Sequence, residues 1–182
     1  MRIIGGIYRR RLLVYPKGDK KQTRPTKDRI REAIFSALGE LSFKTVLDLY
    51  AGSGAMGLEG LSRGASHATF VDHSPLAEKA IKQNIANLQI PTTDYQIIRN
   101  SDRNVLKIFK NKSQKFDIIF LDPPYDYDSY QKMVALLFES DVLSERAIVV
   151  IEANRPVALE NFEWQKTRQY KYGPITVYIY WR

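Results

Sequence analysis

An alternation that begins at Thr45 and continues to Ile151 limits the fold more than any other feature of this chain. Short apolar runs at Thr45–Leu49, Ala68–Val71, Tyr95–Ile98, Phe116–Leu121 and Ala147–Ile151 read as strands. Between them, helical spacing of apolar residues predicts helices over Ala55–Arg63, from Ser74 to about Leu88, over Val105–Phe109 and over Ser129–Phe138. Ser74 is a natural cap for the second of these, with Pro75 at a favoured first position. Phe116–Leu121 has no charge after Asp117, as suits a strand covered on both faces. Strand and helix in strict turn predict a parallel sheet between two helical layers. The tail departs from this pattern: Phe162–Tyr170 and Ile175–Trp181 read as strands joined around Gly173-Pro174 with no helix between them, hence an antiparallel hairpin at the sheet edge. The expected fold class is α/β, a doubly wound, mostly parallel seven-stranded sheet with a C-terminal antiparallel hairpin.

The N-terminal part is different. Residues 2–15 alternate and are broken by Gly5-Gly6, as in a short hairpin or irregular strands. Thr26 is placed to cap a helix with Asp28 in its first turn, and Ile30, Ala33, Ile34, Ala37, Leu38 and Leu41 recur at helical spacing. Two parts follow: a basic extension of hairpin and helix over 1–42, and a core over 43–182. The net charge of +8 is segregated, with 11 Lys/Arg against 2 Asp/Glu in residues 1–31 and 17 against 18 in the rest. Such a segment is the electrostatic footprint of a polyphosphate partner. With no cysteine and only His67 and His73, disulfides and thiolate metal sites are excluded and no metal centre is expected. His73 is read as a surface residue. No apolar run approaches the ~20 residues of a membrane span, and the start lacks the apolar core of a leader, so a cytoplasmic, membrane-free monomer is expected.

Four motifs carry chemistry. Gly52-Ser53-Gly54-Ala55-Met56-Gly57 fits G-x-G-x-x-G, between a strand and a helix. Asp48 beside that turn would repel a pyrophosphate and suits a ligand with an ammonium and a sulfonium. Asp72 ends the second strand, 24 residues after Asp48, where an acid accepts ribose hydroxyls. Asp102 follows the third strand and could accept an adenine amine. Asp122-Pro123-Pro124-Tyr125 follows the fourth strand; its two prolines make a rigid turn at the end of the sheet where ligands bind. There the Asp122 carboxylate and the Pro123 carbonyl can accept the two N–H groups of an exocyclic amine, and Tyr125 can stack on the base. The cluster Tyr178, Tyr180 and Trp181 is read as edge packing.

On these residues the chain resembles the RsmD family of guanine-N2 methyltransferases. The resemblance rests on Asp48 to Gly54 with Gly57-Leu58-Glu59 and Leu61-Ser62-Arg63-Gly64-Ala65, and on Phe120 to Tyr125. It also rests on Arg2-Ile3-Ile4-Gly5-Gly6, Arg24-Pro25-Thr26, Arg31 to Phe35 and Tyr172-Gly173, so it spans nearly the whole chain. It implies a class I methyltransferase (Rossmann-like) fold, S-adenosyl-L-methionine as cofactor, and 16S ribosomal RNA, free or in the small subunit or an assembly intermediate, as partner. Carried over, Asp48, Ala51, Gly52, Gly54, Asp72 and Asp102 would line the cofactor site, and Asp122, Pro123 and Tyr125 would hold the guanine. Arg2, Arg9, Arg10, Arg11, Arg24 and Lys27 would grip RNA. Tyr50 stands where the family usually has Phe, and Asp72 where it often has Glu. The rival readings are an NAD-dependent oxidoreductase, a DNA adenine amino-methyltransferase and a non-catalytic RNA-binding module. The first leaves Asp48 and the proline turn unexplained, the second usually has a target-recognition domain, and the third leaves the cofactor residues without purpose.

Overall fold

The computed structural model describes residues 1–16, 25–123 and 130–182, with residues 25–27 described by backbone alone. After an N-terminal loop come α1 (Pro25–Leu38), β1 (Thr45–Asp48), α2 (Ala55–Ser62), β2 (His67–Asp72), α3 (Pro75–Leu88) and β3 (Tyr95–Arg99). Then follow α4 (Asp102–Asn111), β4 (Phe116–Leu121), α5 (Tyr130–Glu139), β5 (Leu143–Ala153), β6 (Lys166–Tyr172) and β7 (Ile175–Trp181). The strands form one seven-stranded sheet in the order β3-β2-β1-β4-β5-β7-β6. The first five are parallel to their neighbours, and β7 runs antiparallel between β5 and β6. The order reverses at β1 and β4, which opens a crevice at their carboxyl ends.

Side-chain alternation along each strand builds two cores. Val46, Phe70, Ile118, Phe120, Val150 and Ile179 face α1, α2 and α3. Their neighbours Leu47, Val71, Ile119, Leu121, Val149 and Tyr180 face α4 and α5. Burial of β4 on both faces explains its nearly continuous apolar run. The Ser74 hydroxyl accepts from the Leu76 and Ala77 amides at 3.2 and 3.4 Å, and Pro75 opens α3, as the sequence predicts.

Three expectations need correction. Helix α1 begins at Pro25, so Thr26 lies inside the helix and does not precede it as a cap. The sixth strand starts at Lys166, later than Phe162, because Phe162 and Trp164 join Phe138 in an aromatic cluster that closes the α5 face. Apolar residues there serve packing, not strand alternation. The fifth strand extends to Ala153, two residues beyond Ile151, and this matters for the site. Tyr178 and Tyr180 are buried and stacked at 6.3 Å, a packing role.

The first 16 residues form a loop closed by an Arg2–Leu12 bridge, with Ile3 and Leu13 buried in the α1–α2–α3 core. Glu59 of α2, fully buried, anchors it. Its carboxylate accepts from the amides of Ile4 and Gly5, both at 2.8 Å, and pairs with Arg63 at 2.8 Å and Arg31 at 3.4 Å. The loop then meets the far end of α2, where the Ile7 amide donates to the Ser62 carbonyl at 2.8 Å. A Cβ on Gly6 would lie 1.7 Å from that carbonyl oxygen, and φ there is +73°, so only glycine lets the chains meet this closely.

Candidate active site

The carboxyl ends of β1 and β4 and the turn after β1 bound one cleft, roofed by Ile30, Arg31 and Ile34 of α1. Its lining includes Asp48, Ala51, Gly52 and Ser53 on one side and Asp122 and Glu152 on the other. The turn is held open by backbone: the Ala51 amide donates to the Val71 carbonyl at 3.0 Å and the Gly54 amide to the Ala51 carbonyl at 2.7 Å. Gly52 and Gly54 have φ of +54° and +79°, a left-handed conformation that L side chains rarely adopt. A Cβ on Gly52 would meet nothing within 4 Å, so this backbone borders open space. Gly57 has another reason to be glycine, since a Cβ there would lie 2.3 Å from the Phe70 ring. The three glycines thus turn the chain, cap α2 and seat α2 on β2.

Asp48 is 4% exposed, and one of its oxygens accepts the Gly57 amide at 3.0 Å in the first turn of α2. Burial pushes its carboxyl up to about 7; the Gly57 amide pulls the other way, and the charges of Asp122 and Asp72 push further up. A buried carboxylate with so little relief favours a cationic ligand, which would restore its ionised form. Asp72 holds two loops: its oxygens accept the Gly52 amide at 2.9 Å and the Ser74 amide at 2.8 Å. A carboxylate has about four lone-pair sites, so both oxygens keep acceptor capacity for a hydroxyl pair. The Asp102 carboxylate accepts the Tyr50 hydroxyl at 2.7 Å and the Arg103 amide at 2.6 Å. Ser101, which the sequence reading passed over, caps α4 by accepting the Asn104 amide at 3.3 Å and so sets the position of Asp102.

The family profile of conserved hypothetical protein 95 matches residues 1–181. The ribosomal RNA small subunit methyltransferase D of Haemophilus influenzae is 31% identical over 99% of this chain and 93% of its own length. The chain belongs to the RsmD family. A second relative, Bacillus subtilis YlbH, is 36% identical over 99% of this chain and 98% of its own. The solved structure of Escherichia coli yhhF, 29% identical, superposes with a TM-score of 0.82 over 100% of this chain and 97% of that one. The fold is therefore the class I, Rossmann-like arrangement, with the hairpin strand β7 inserted beside β5.

Within this RsmD chain the expected site residues fall into groups. Asp48, Ala51, Gly52 and Asp122 line the cleft directly. Gly54 caps α2 beneath it, Asp72 supports it through the Gly52 amide, and Asp102 through Tyr50. Pro123 is buried next to Asp122, whereas Tyr125 and Arg24 lie outside the described residues, as does the side chain of Lys27. Arg2 is exposed and pairs with Asp28 at 3.4 Å. Arg9 and Arg10 are exposed at the loop tip beside Ser62, a length of α2, about 12 Å, from the cleft end at Ala55. Arg11 donates to the Asn87 carbonyl at 2.7 Å in the last turn of α3. His73 is an exposed side chain, 3.8 Å from Asp72. Sequence reasoning missed Glu152. Its signal was present: a lone acid directly after the apolar run Ala147–Ile151. Among the described residues, no helix is long and apolar enough to cross a membrane, and no group of three or more candidate ligands is arranged to hold a metal.

Proposed function

We propose that this chain is a cytoplasmic, S-adenosylmethionine-dependent enzyme that methylates the exocyclic N2 of a guanine in 16S ribosomal RNA. The observation that carries the reading is that Asp48, beside the glycine bend, and Asp122, at the proline turn, line one cleft at the ends of adjacent strands. The relatives named ribosomal RNA small subunit methyltransferase D, matched along nearly their whole length, support the RNA substrate. The cofactor, when bound, supplies an electrophilic methyl on a positive sulfur. Asp48 would face its cationic portion, Asp72 its ribose hydroxyls and Asp102 its adenine amine. The acidic, half-buried character of the site fits that ligand and disfavours the pyrophosphate of a dinucleotide.

The guanine amine is a weak nucleophile because its lone pair is delocalised into the ring, so the protein must orient and polarise it. Asp122 and the Pro123 carbonyl would each accept one N–H and leave the lone pair directed at the methyl carbon. The cofactor would supply the methyl group and keep the carbon–sulfur electron pair on its sulfur, while Asp122 would receive the proton that the amine sheds. Acceptors fixed where positive charge grows act as an oxyanion hole does, with the sign reversed. Pre-set alignment of the reactants adds several kcal/mol of barrier reduction. A stacked base cannot reach the cleft, so the nucleotide is unpaired or flipped, and Tyr125 is proposed to replace the lost stacking. The basic residues Arg2, Arg9, Arg10, Arg11, Arg24 and Lys27 are proposed to hold phosphates, with RNA free or in a small-subunit particle and the protein acting as a monomer. The test is labelled methyl transfer to rRNA and subunits from a strain lacking the protein, with nucleoside analysis. Asp122→Ala is expected to lose nearly all transfer while still binding the cofactor; near-normal turnover would remove Asp122 from the chemistry.

A further inference from the structure

We infer that Glu152 is the base-selecting residue of this cleft, accepting the N1–H of the target guanine beside the amine held at Asp122. The inference rests on the guanine-N2 reading given above. Glu152 is the single charge in the run Ala147–Ala153, flanked by Ile151 and Ala153, which are 0% and 2% exposed. It is itself half-buried and lies one residue before the end of β5. Its position is defined by the sheet register. Leu121 of β4 lies beside Ile151 of β5, so the next residues, Asp122 and Glu152, are neighbours across the strand ends. Leu121 and Ile151 both point into the α4–α5 core, and alternation turns the following pair to the opposite face. There both line the cleft, with Asp48 one strand away.

Asp122 and Pro123 by themselves cannot choose a base, because adenine and cytosine also present an exocyclic amine with two N–H groups. What separates guanine is the neighbouring ring position. Guanine N1 carries a hydrogen next to the N2 amine, whereas adenine N1 is a lone pair. An ionised carboxylate has acceptors and no donor, so at that position it pairs with guanine and repels a base with an unprotonated N1. Two carboxylates on adjacent strands, about 4.8 Å apart at the backbone, face two adjacent donors on one base edge. Sites that read a hydrogen bond in this way reject analogues lacking it far more strongly than sites that read shape alone.

The experiment uses the full chain and the RNA fragment in which the wild-type protein installs its methyl group, with the target guanine replaced by 2,6-diaminopurine. That base keeps the amine at position 2 and has an unprotonated N1. Wild type is expected to favour guanine by roughly 100-fold or more in kcat/KM. Glu152→Gln, whose amide can donate to N1, is expected to narrow that ratio at least tenfold, partly by a gain on diaminopurine, with cofactor affinity unchanged. Glu152→Ala is expected to lose the preference without the gain. Equal losses on both bases, or a wild type that does not distinguish them, would overturn the inference and leave the methyltransferase reading intact. If wild type transfers no methyl to any guanine N2, the underlying reading fails first.

Discussion

Replacing Asp48 by Asn should make the protein more stable and a poorer cofactor binder. The carboxyl is pushed from 3.8 to about 7, first by burial. At about 1.36 kcal/mol for each decade of the proton equilibrium, ionising it inside the fold costs about 4 kcal/mol. The folded state keeps this proton to higher pH than the unfolded chain. Wild-type stability is therefore intact below about pH 4, declines as pH rises toward 7, and levels off above. An Asn oxygen can still accept the Gly57 amide at the 3.0 Å separation seen now, and it carries no charge to desolvate. The variant should exceed wild type at pH 8 by about 3 kcal/mol more than at pH 5. Urea unfolding at the two pH values reads this as an extra shift in midpoint of roughly 1–3 M. Calorimetric titration with S-adenosylmethionine supplies the second readout. Wild-type affinity should fall about tenfold for each pH unit below 7, and the variant should bind weakly with little pH dependence. A variant no more stable at pH 8 than at pH 5, relative to wild type, would refute the claim that Asp48 is an anion held at a cost for its ligand.

Other perturbations test the scaffold around the cleft. Glu59→Gln removes the shared anion of Arg31 and Arg63 and one acceptor for the N-terminal amides, so it should cost about 3–5 kcal/mol; limited proteolysis should then cut within residues 1–13, and an uncut loop would argue against the anchor. Gly57→Ala places a methyl 2.3 Å from the Phe70 ring and should cost about 1–3 kcal/mol in thermal unfolding while weakening cofactor binding; normal stability would mean that α2 shifts freely. Neutralising Arg9, Arg10 and Arg11 together should weaken RNA binding and flatten its salt slope by about 0.7 for each phosphate no longer neutralised; an unchanged slope would show that RNA does not reach the far end of α2.

Much of this molecule could be read locally. Apolar runs and glycine turns determined the strands and helices, because burial period and backbone torsion are properties of short segments. The limits of β4 and β7 agree to the residue with the sequence reading. The two acids Asp48 and Asp122 were legible for the same reason, since each lies at the carboxyl end of a buried strand. What short segments could not reveal was where those segments meet. Phe162 and Trp164 looked like strand residues until Phe138 supplied the rings they pack on. The paired glycines at Gly5-Gly6 looked like a turn, whereas Gly6 is demanded by a carbonyl 56 positions away in sequence, at Ser62. Arg9, Arg10 and Arg11 were legible as a basic cluster, but only the contacts of the loop with Glu59 and Ser62 set the tip at the end of α2 away from the cleft. Glu152 entered the cleft only through the pairing of β4 with β5, which sets it beside Asp122 on the face opposite Ile151. Local sequence determined which elements form and which carry an acid at their ends. Register between distant strands and buried polar contacts across the chain decided which of those acids face one another, because such contacts exist only once the sheet has closed.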